Sequence, residues 1–322
     1  MRIWLRLALV CASSAFCVSA AVAQGFPTKP VRIVVPFSAG GTADVQARLI
    51  GPKLSDALGQ QVLVENRPGG GTVIATEIAA RAPADGHTML LIGNSFTINP
   101  SVHAKLPYDP VKDFMPVIML VRSPQVLVVG TSLQVKSLSE FITLVKSQPG
   151  KFSLATVGPA TTQHIGSEML KSALKLEMIY APYPGGAPAV TALIGGHVDA
   201  VLANYSEVAQ QILGGKVRAI AVTSRERLDM LKDVPTVAES GYPDFEVAAW
   251  FGMVVTGGSP PAAVARLNAE VNNALKAPDV RDKLLAQGLY PAGGTPEQFG
   301  AHIRSEMGKY AKVIKEAGIR VD

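Results

Sequence analysis

Val31-Arg32-Ile33-Val34-Val35-Pro36-Phe37-Ser38-Ala39-Gly40-Gly41-Thr42-Ala43-Asp44 is the stretch whose reading decides the fold. A continuous β-branched run is the mark of a strand buried on both faces. The glycines and small residues after it lead into Ala47, Ile50, Leu54 and Leu58, which fall at helical spacing, although Pro52 is expected to kink or restart that helix. Working outward, residues 62–65, 88–92, 126–129, 153–156, 198–202 and 217–223 read as further strands, most of them continuous apolar runs. Between and after them Leu138, Ile142 and Val145, then Ile165, Met169 and Leu170, trace helical faces. The last helix carries Phe299, Ile303, Met307, Tyr310 and Ile314 on one stripe behind the cap Thr295-Pro296-Glu297-Gln298, and it is expected to pack on a domain already formed. Such alternation predicts right-handed βαβ units and two parallel sheets. With 322 residues the chain exceeds one ordinary core, so an α/β protein of two domains is expected. Leu106-Pro107-Tyr108-Asp109-Pro110, Pro116 and Pro124 mark the exit from the first domain, and Pro235 with Gly241-Tyr242-Pro243 precedes a return near Trp250. The expected division is 24–124 with 249–322 as one domain and 125–248 as the other.

The first residues read as an export leader. Arg2 and Arg6 supply positive charge, residues 7–22 are apolar, and Ala21-Val22-Ala23 is a cleavage site before Gln24. A signal peptide over 1–23, cleaved after Ala23, implies a periplasmic location. Cys11 and Cys17 both fall inside it, which leaves a mature chain without thiol catalysis, disulfides or cysteine-bound zinc. Val10 and Phe16 precede them where a lipid-attachment signal requires a small residue. A hydrophobic share of 48% with 17% charged residues excludes a disordered chain, and no long apolar run after residue 25 suggests membrane spans. Loss of Arg2 and Arg6 lowers the formal charge from +5 to +3, too mild for a nucleic-acid partner.

Catalytic signatures are missing. His87, His103, His164, His197 and His302 are scattered, without the H-E-x-x-H pattern of a metal site. Neither a G-x-S-x-G elbow nor a phosphate-binding G-x-x-x-x-G-K-[ST] loop occurs. No cofactor or metal is called for. An enzyme using His164 as acid or base is the outlying alternative, with no nucleophile or paired carboxylate to accompany it.

Two loops carry the functional signal. Pro36 to Asp44 places small residues between a strand's C-terminal end and a helix N-terminus, where unpaired N–H groups and the positive end of the helix dipole suit an anion. Thr156-Val157-Gly158-Pro159-Ala160-Thr161-Thr162-Gln163-His164 repeats the arrangement in the other predicted domain. Neither loop contains Lys or Arg, so each charge-assisted hydrogen bond from a neutral dipole contributes roughly 1.5–3 kcal/mol. A compact carboxylate fits that chemistry better than a polyphosphate.

At these residues the chain resembles the Bug family of periplasmic solute receptors, the binding components of tripartite tricarboxylate transporters. The resemblance rests on Phe26-Pro27-Thr28-Lys29-Pro30 leading into Val31–Val35, then Gly40-Gly41, Asp44, Glu65-Asn66-Arg67-Pro68-Gly69 and Asp85-Gly86. It continues through Leu106-Pro107-Tyr108-Asp109-Pro110, Gly195-Gly196-His197-Val198-Asp199 and Asp233-Val234-Pro235-Thr236. It implies a type II periplasmic binding protein, two α/β domains with a ligand cleft between them. It further implies a non-catalytic monomer that delivers a small carboxylate to membrane transporter subunits; a ligand sensor for a signalling partner shares the same features. Carried onto this chain, the ligand-binding residues are Phe37, Ser38, Ala39, Gly40, Gly41, Thr156, Gly158, Pro159, Ala160, Thr161 and His164, with Ser95 as a third contact and Ala203 and Asn204 past a strand end. The chain departs from the family at Ser38-Ala39, where many members have two prolines, and at Ala160, where a glycine is usual. Relatives often place an aspartate at the position of Ala203, and its absence predicts a mono- or dicarboxylate ligand with no obligatory ammonium.

Overall fold

The computed structural model describes residues 25–158 and 161–317; the expected leader, Pro159 and Ala160 lie outside them. β1 (Val31–Val35) leads into α1 (Thr42–Leu58), β2 (Val62–Asn66), α2 (Val73–Ala80), β3 (Thr88–Gly93) and α3 (Asn94–Val102). β4 (Phe114–Gly130) carries the chain out to α4 (Leu138–Ser147), β5 (Ser153–Val157), α5 (Thr162–Leu174), β6 (Ile179–Tyr183), α6 (Gly186–Ile194), β7 (Ala200–Asn204), α7 (Tyr205–Leu213) and β8 (Val217–Val222). β9 (Ala248–Thr256) brings it back to α8 (Pro261–Lys276), α9 (Pro278–Leu285), β10 (Tyr290–Gly293) and α10 (Pro296–Ala317).

The strand order is β2-β1-β3-β9-β4-β7-β5-β6, with β8 and β10 also on β4. Parallel pairing holds within two groups, β1 with β2 and β3, and β5 with β6 and β7. The expectation of purely parallel sheets is corrected by β9, antiparallel to β3 and β4, and by β4, antiparallel to β7, β8 and β10. The reason is directional: helical crossovers return the chain in one sense, whereas β4 carries it out of the first lobe and β9 carries it back. The expected strand at 126–129 is therefore only the end of a 17-residue strand. β6, β9 and β10 were not among the expected strands. β6 carries Pro182 and sits at the sheet edge, where a missing N–H costs no ladder bond.

Within the first lobe, alternate residues of β1 enter different layers. Ile33 packs with Ile50, Leu54, Met89 and Leu267, while Val34 on the opposite face packs with Leu90, Phe96 and Phe299. Two-sided burial is why the strand reads as an unbroken apolar run. α1 continues through Pro52 as one helix, so the expected restart does not occur. Burying Ile50, Leu54 and Leu58 at roughly 1.5–3 kcal/mol each outweighs the penalty of about 3 kcal/mol for an interior proline. In the second lobe Leu127, Phe141, Leu170 and Leu202 form one layer, and Val126, Val201, Ala203 and Val222 the other.

The lobes are joined by two crossing strands, β4 and β9, and Thr223 hydrogen-bonds beside both of them. Thr223 N–H donates to Gln125 O (2.9 Å), and Val247 N–H donates to Thr223 O (3.0 Å). α10 adds a third link. Its start is capped reciprocally, Thr295 N–H to Gln298 Oε1 (2.9 Å) and Gln298 N–H to Thr295 Oγ1 (3.3 Å). Its far end places Tyr310 and Ile314 against Ile98 and Val102 of α3 and Ile165 of α5.

Candidate functional site

β1, β3, β5, β6 and β7 each feed directly, or through a short loop, into a helix, so the N-termini of α1, α3, α5, α6 and α7 all lie beyond strand C-termini. That edge of an α/β sheet is where ligands bind in open folds of this kind. A hydrogen bond crosses between the lobes here: Thr42 Oγ1 and Ser206 Oγ are 3.2 Å apart, joining the first turns of α1 and α7. Neither residue was among the expected contacts.

The first loop is ordered by its own carboxylate. Gly40, at φ 79°, takes the left-handed conformation that glycine adopts freely, and its N–H donates to Asp44 Oδ2 (2.9 Å). Arg48 Nε holds the other carboxylate oxygen at 2.9 Å. Burial works against the Asp44 charge, but the bonds from Arg48, Gly40 and Asn66 prevail and hold its carboxyl below the usual range. The Gly40 amide is thus already engaged, as is that of Gly41, which donates to Ser38 O (3.3 Å). Ser38 and Ala39 are exposed, and Phe37 sets its ring edge-on to Phe251 at 6.3 Å. Gly41 caps α1 without a side-chain bond, so the N–H groups of Thr42, Ala43 and Asp44 have no intrahelical acceptor. Ser95 is buried in the first turn of α3, which Gly93 likewise caps without a side chain.

The second lobe is different. Thr161 caps α5, its Oγ1 accepting from His164 N–H (3.2 Å) and donating to Gly158 O (2.8 Å) and Val157 O. Gly158 sits at φ 56°, and Thr156 is buried within β5. His164 lies 5.4 Å from the Tyr180 ring. Burial lowers its pKa, Lys171 lowers it further and Glu168 opposes both, so the ring stays neutral at pH 7. Ala203 is a correction. β7 runs on through Asn204, so Ala203 lies inside the strand opposite Val126, fully buried in the core, and not past its end.

Asn204 ends β7 and caps α7 in company with Glu207, another residue absent from the expected site. Asn204 N–H donates to Glu207 Oε2 (3.3 Å) and Asn204 Nδ2 to Glu207 Oε1 (3.1 Å). Gln163 Nε2, in the first turn of α5, reaches within 3.4 Å of the same carboxylate. At Gly186, the first residue of α6, an added Cβ would stand 2.2 Å from Glu207 Oε2, so only glycine lets the acid lie there. Burial pushes the Glu207 carboxyl up, and the bonds from Asn204 and Gln163 offset this only in part. The spacing Asn204-Tyr205-Ser206-Glu207 is a capping pattern legible in sequence. Its convergence with α5 and α6 is not.

Among the described residues no three His, Cys, Asp or Glu side chains cluster as for a metal ion, and no helix is long and apolar enough to cross a membrane. A surface hollow of about 630 Å³ on α6, lined by Tyr183, Pro188, Thr191 and His197, includes none of the expected contact residues.

Comparison with known proteins supplies the family. Residues 46–319 match the family described as the tripartite tricarboxylate transporter family receptor. The BugT protein of Bordetella pertussis is 36% identical over 303 residues, covering 93% of this chain and 92% of its own length. Among solved structures, R. palustris Rpa4515 with adipate has 35% identity and a TM-score of 0.86, covering 92% of this chain and 99% of its own. MatC from Rhodopseudomonas palustris with bound malate has 33% identity and a TM-score of 0.82, covering 90% of this chain and all of its own. The two-lobed α/β frame, the strand-to-helix loops at its joining edge and the match over most of the sequence agree, and the chain belongs to the tripartite tricarboxylate transporter receptor family.

Proposed function

We propose that the chain is an exported, monomeric and non-catalytic receptor that closes two lobes around a small organic carboxylate and presents it to the membrane subunits of a tripartite transporter. The lobes are 24–124 with 249–322, and 125–248, after removal of a leader ending at Ala23. The observation that carries this reading is the uncapped N-terminus of α1 at the point where Thr42 meets Ser206 across the lobes. Free first-turn N–H groups and the helix dipole favour one compact negative charge there. The carboxylates named with two of the similar structures, adipate and malate, are consistent with it. In this reading Ser38, Ala39, Ser95 and the α5 start at Thr161 border the ligand, and the engaged Gly40 amide shapes the loop without touching it.

A thermal-shift screen of small carboxylates on ligand-stripped protein tests the reading. A ligand at about 100 times its Kd stabilises the native state by about 2.7 kcal/mol, a clear rise in Tm. Failure of every carboxylate to raise Tm would overturn it. Export is checked separately by N-terminal sequencing of the periplasmic protein, which should begin at Gln24.

A further inference from the structure

α3 starts at the joining edge, yet its sequence gives it little reason to be a helix. Asn94-Ser95-Phe96-Thr97-Ile98-Asn99-Pro100 contains no strong helix former, Gly93 caps it without a side chain, and Pro100 removes an interior N–H. Most of it is nevertheless buried. Its place is therefore set by tertiary bonds, and at its start Asn94 carries them. Asn94 Nδ2 donates to Ala248 O (3.2 Å) and to the Tyr310 hydroxyl (2.8 Å), and Oδ1 accepts from Trp250 N–H (2.9 Å). Ala248 and Trp250 begin β9, the strand that returns the chain to the first lobe. An added Cβ at Gly93 would stand 3.1 Å from Trp250 O, so glycine is what lets α3 start this close to β9.

Tyr310 is 1% exposed and lies on α10, in the cluster that holds Ile165 of the second lobe. Its hydroxyl also bonds Glu306, whose Oε2 accepts from Trp250 Nε1 (3.2 Å). One side chain thus has its ring in the packing between the lobes and its hydroxyl on the first residue of α3. We infer that Tyr310 is a positioning residue for ligand capture: from α10 it fixes Asn94, and with it the α3 terminus that presents Ser95 to the ligand, in a place that depends on the seating of the second lobe against α10. Close-packed elements transmit a displacement instead of absorbing it. The grip of the first lobe is then complete only when the second lobe is seated, which ties closure to affinity. The inference rests on the carboxylate-receptor reading for its consequence in binding.

Hydrogen exchange of the ligand-free protein tests the link. Tyr310→Phe keeps the ring and removes the hydroxyl. It should speed amide exchange at residues 94–99 about tenfold, the loss for a buried bond whose partner is left unsatisfied, while residues 31–35 keep their wild-type rates. Ile165→Ala, in the other lobe, should speed the same amides, and Ile165→Val stands in if that variant does not fold. Unchanged exchange at 94–99 in either variant would overturn the inference. Equal acceleration at 31–35 would do so too, since it marks a general loss of stability.

Calorimetric titration with malate and with adipate tests the consequence. An acid that binds wild type should bind Tyr310→Phe about tenfold more weakly. Asn94→Ala combined with Tyr310→Phe should bind within about twofold of the weaker single variant, because both changes act on one bond. Residues 24–322 contain a single tryptophan, Trp250, so its emission reports this junction alone. Binding should shift that emission in wild type, and by less than half as much in Tyr310→Phe. Undiminished affinity in Tyr310→Phe, or binding that leaves Trp250 emission unmoved, would overturn the inference and leave the carboxylate reading intact. If neither acid binds wild type, the exchange rates decide the inference and the thermal-shift screen decides the carboxylate reading.

Discussion

The starts of α1 and α7 both follow a strand at the joining edge, α1 after the loop 36–41 and α7 directly, and they face each other through Thr42 and Ser206, yet they are electrostatic opposites. α1 begins at Gly41 with no side chain over its first turn, and its nearby acid, Asp44, is spent on Gly40 and Arg48. α7 begins at Asn204 with Glu207 folded back over it. An open terminus invites an anion, and a terminus that already holds its own carboxylate repels one. Two strand-to-helix junctions therefore give a two-lobed site polarity, with the difference made by the caps, Gly41 against Asn204, and by where the nearby acid is held, Asp44 on Gly40 and Arg48 and Glu207 over its own helix start.

The comparison is broken most severely by giving α1 the acid it lacks. Gly41 has φ −78° and ψ 169°, a conformation open to any residue, and an added Cβ would stand 3.3 Å from Ser38 O, so Gly41→Asp should fold once that exposed loop gives slightly, with stability within about 1 kcal/mol of wild type. Its carboxylate should occupy the open terminus and weaken a bound carboxylate about 100-fold, read by calorimetry, a like-charge cost within the range of several kcal/mol seen at interfaces. Unchanged affinity would remove the α1 terminus from the site.

The two acids should also pull stability in opposite directions with pH. Asp44 is lowered in the folded state, so its contribution is present above its ordinary value of 3.8 and lost as pH falls through the depressed folded value. Glu207 is raised, so its contribution is full below its ordinary value of 4.5 and lost as pH rises through the folded value. Denaturant titrations of ligand-free protein from pH 4 upward should show Glu207→Gln gaining on wild type with rising pH. Asp44→Asn should fall short of wild type at pH 7 and approach it only in acid. A Glu207→Gln difference that does not change with pH would show that the carboxyl titrates as an ordinary surface acid.

A smaller effect sharpens the contrast between capped and uncapped helices. Thr161→Ala removes the α5 cap and should cost about 1 kcal/mol in unfolding free energy. The smallest is at the contact itself. Thr42→Val deletes one hydroxyl bond to Ser206 and should weaken ligand binding by no more than about fivefold, about 1 kcal/mol for a net hydrogen bond. A larger loss would mean that the Thr42 hydroxyl contacts the ligand.

Much of this was legible along the chain. The strand at 31–35, the glycine loop and the start of the following helix fall where hydrophobic period and local turn chemistry put them, because those signals are carried by neighbours in sequence. The long β4 was read only at its second half, since the first half, Phe114 to Arg122, is broken by Pro116 and is recognisable as a strand only once β9 and β10 lie beside it. Ala203 was misplaced because a strand end shifted by two residues decides whether a side chain lies inside the ladder or beyond it. Boundaries of this sort are set by pairing partners far away in sequence.

The sequence by itself determined a two-lobed α/β chain with an anion-suited loop after the first strand, and it determined the absence of basic residues from both loops. Tertiary structure alone decided that strands β4 and β9 run antiparallel across the lobes, that Thr42 meets Ser206, and that Glu207 lies among three helix starts. The physical reason is range. Propensity, capping and turn preference act over a few residues, whereas the desolvation of one carboxylate depends on which distant helices close around it.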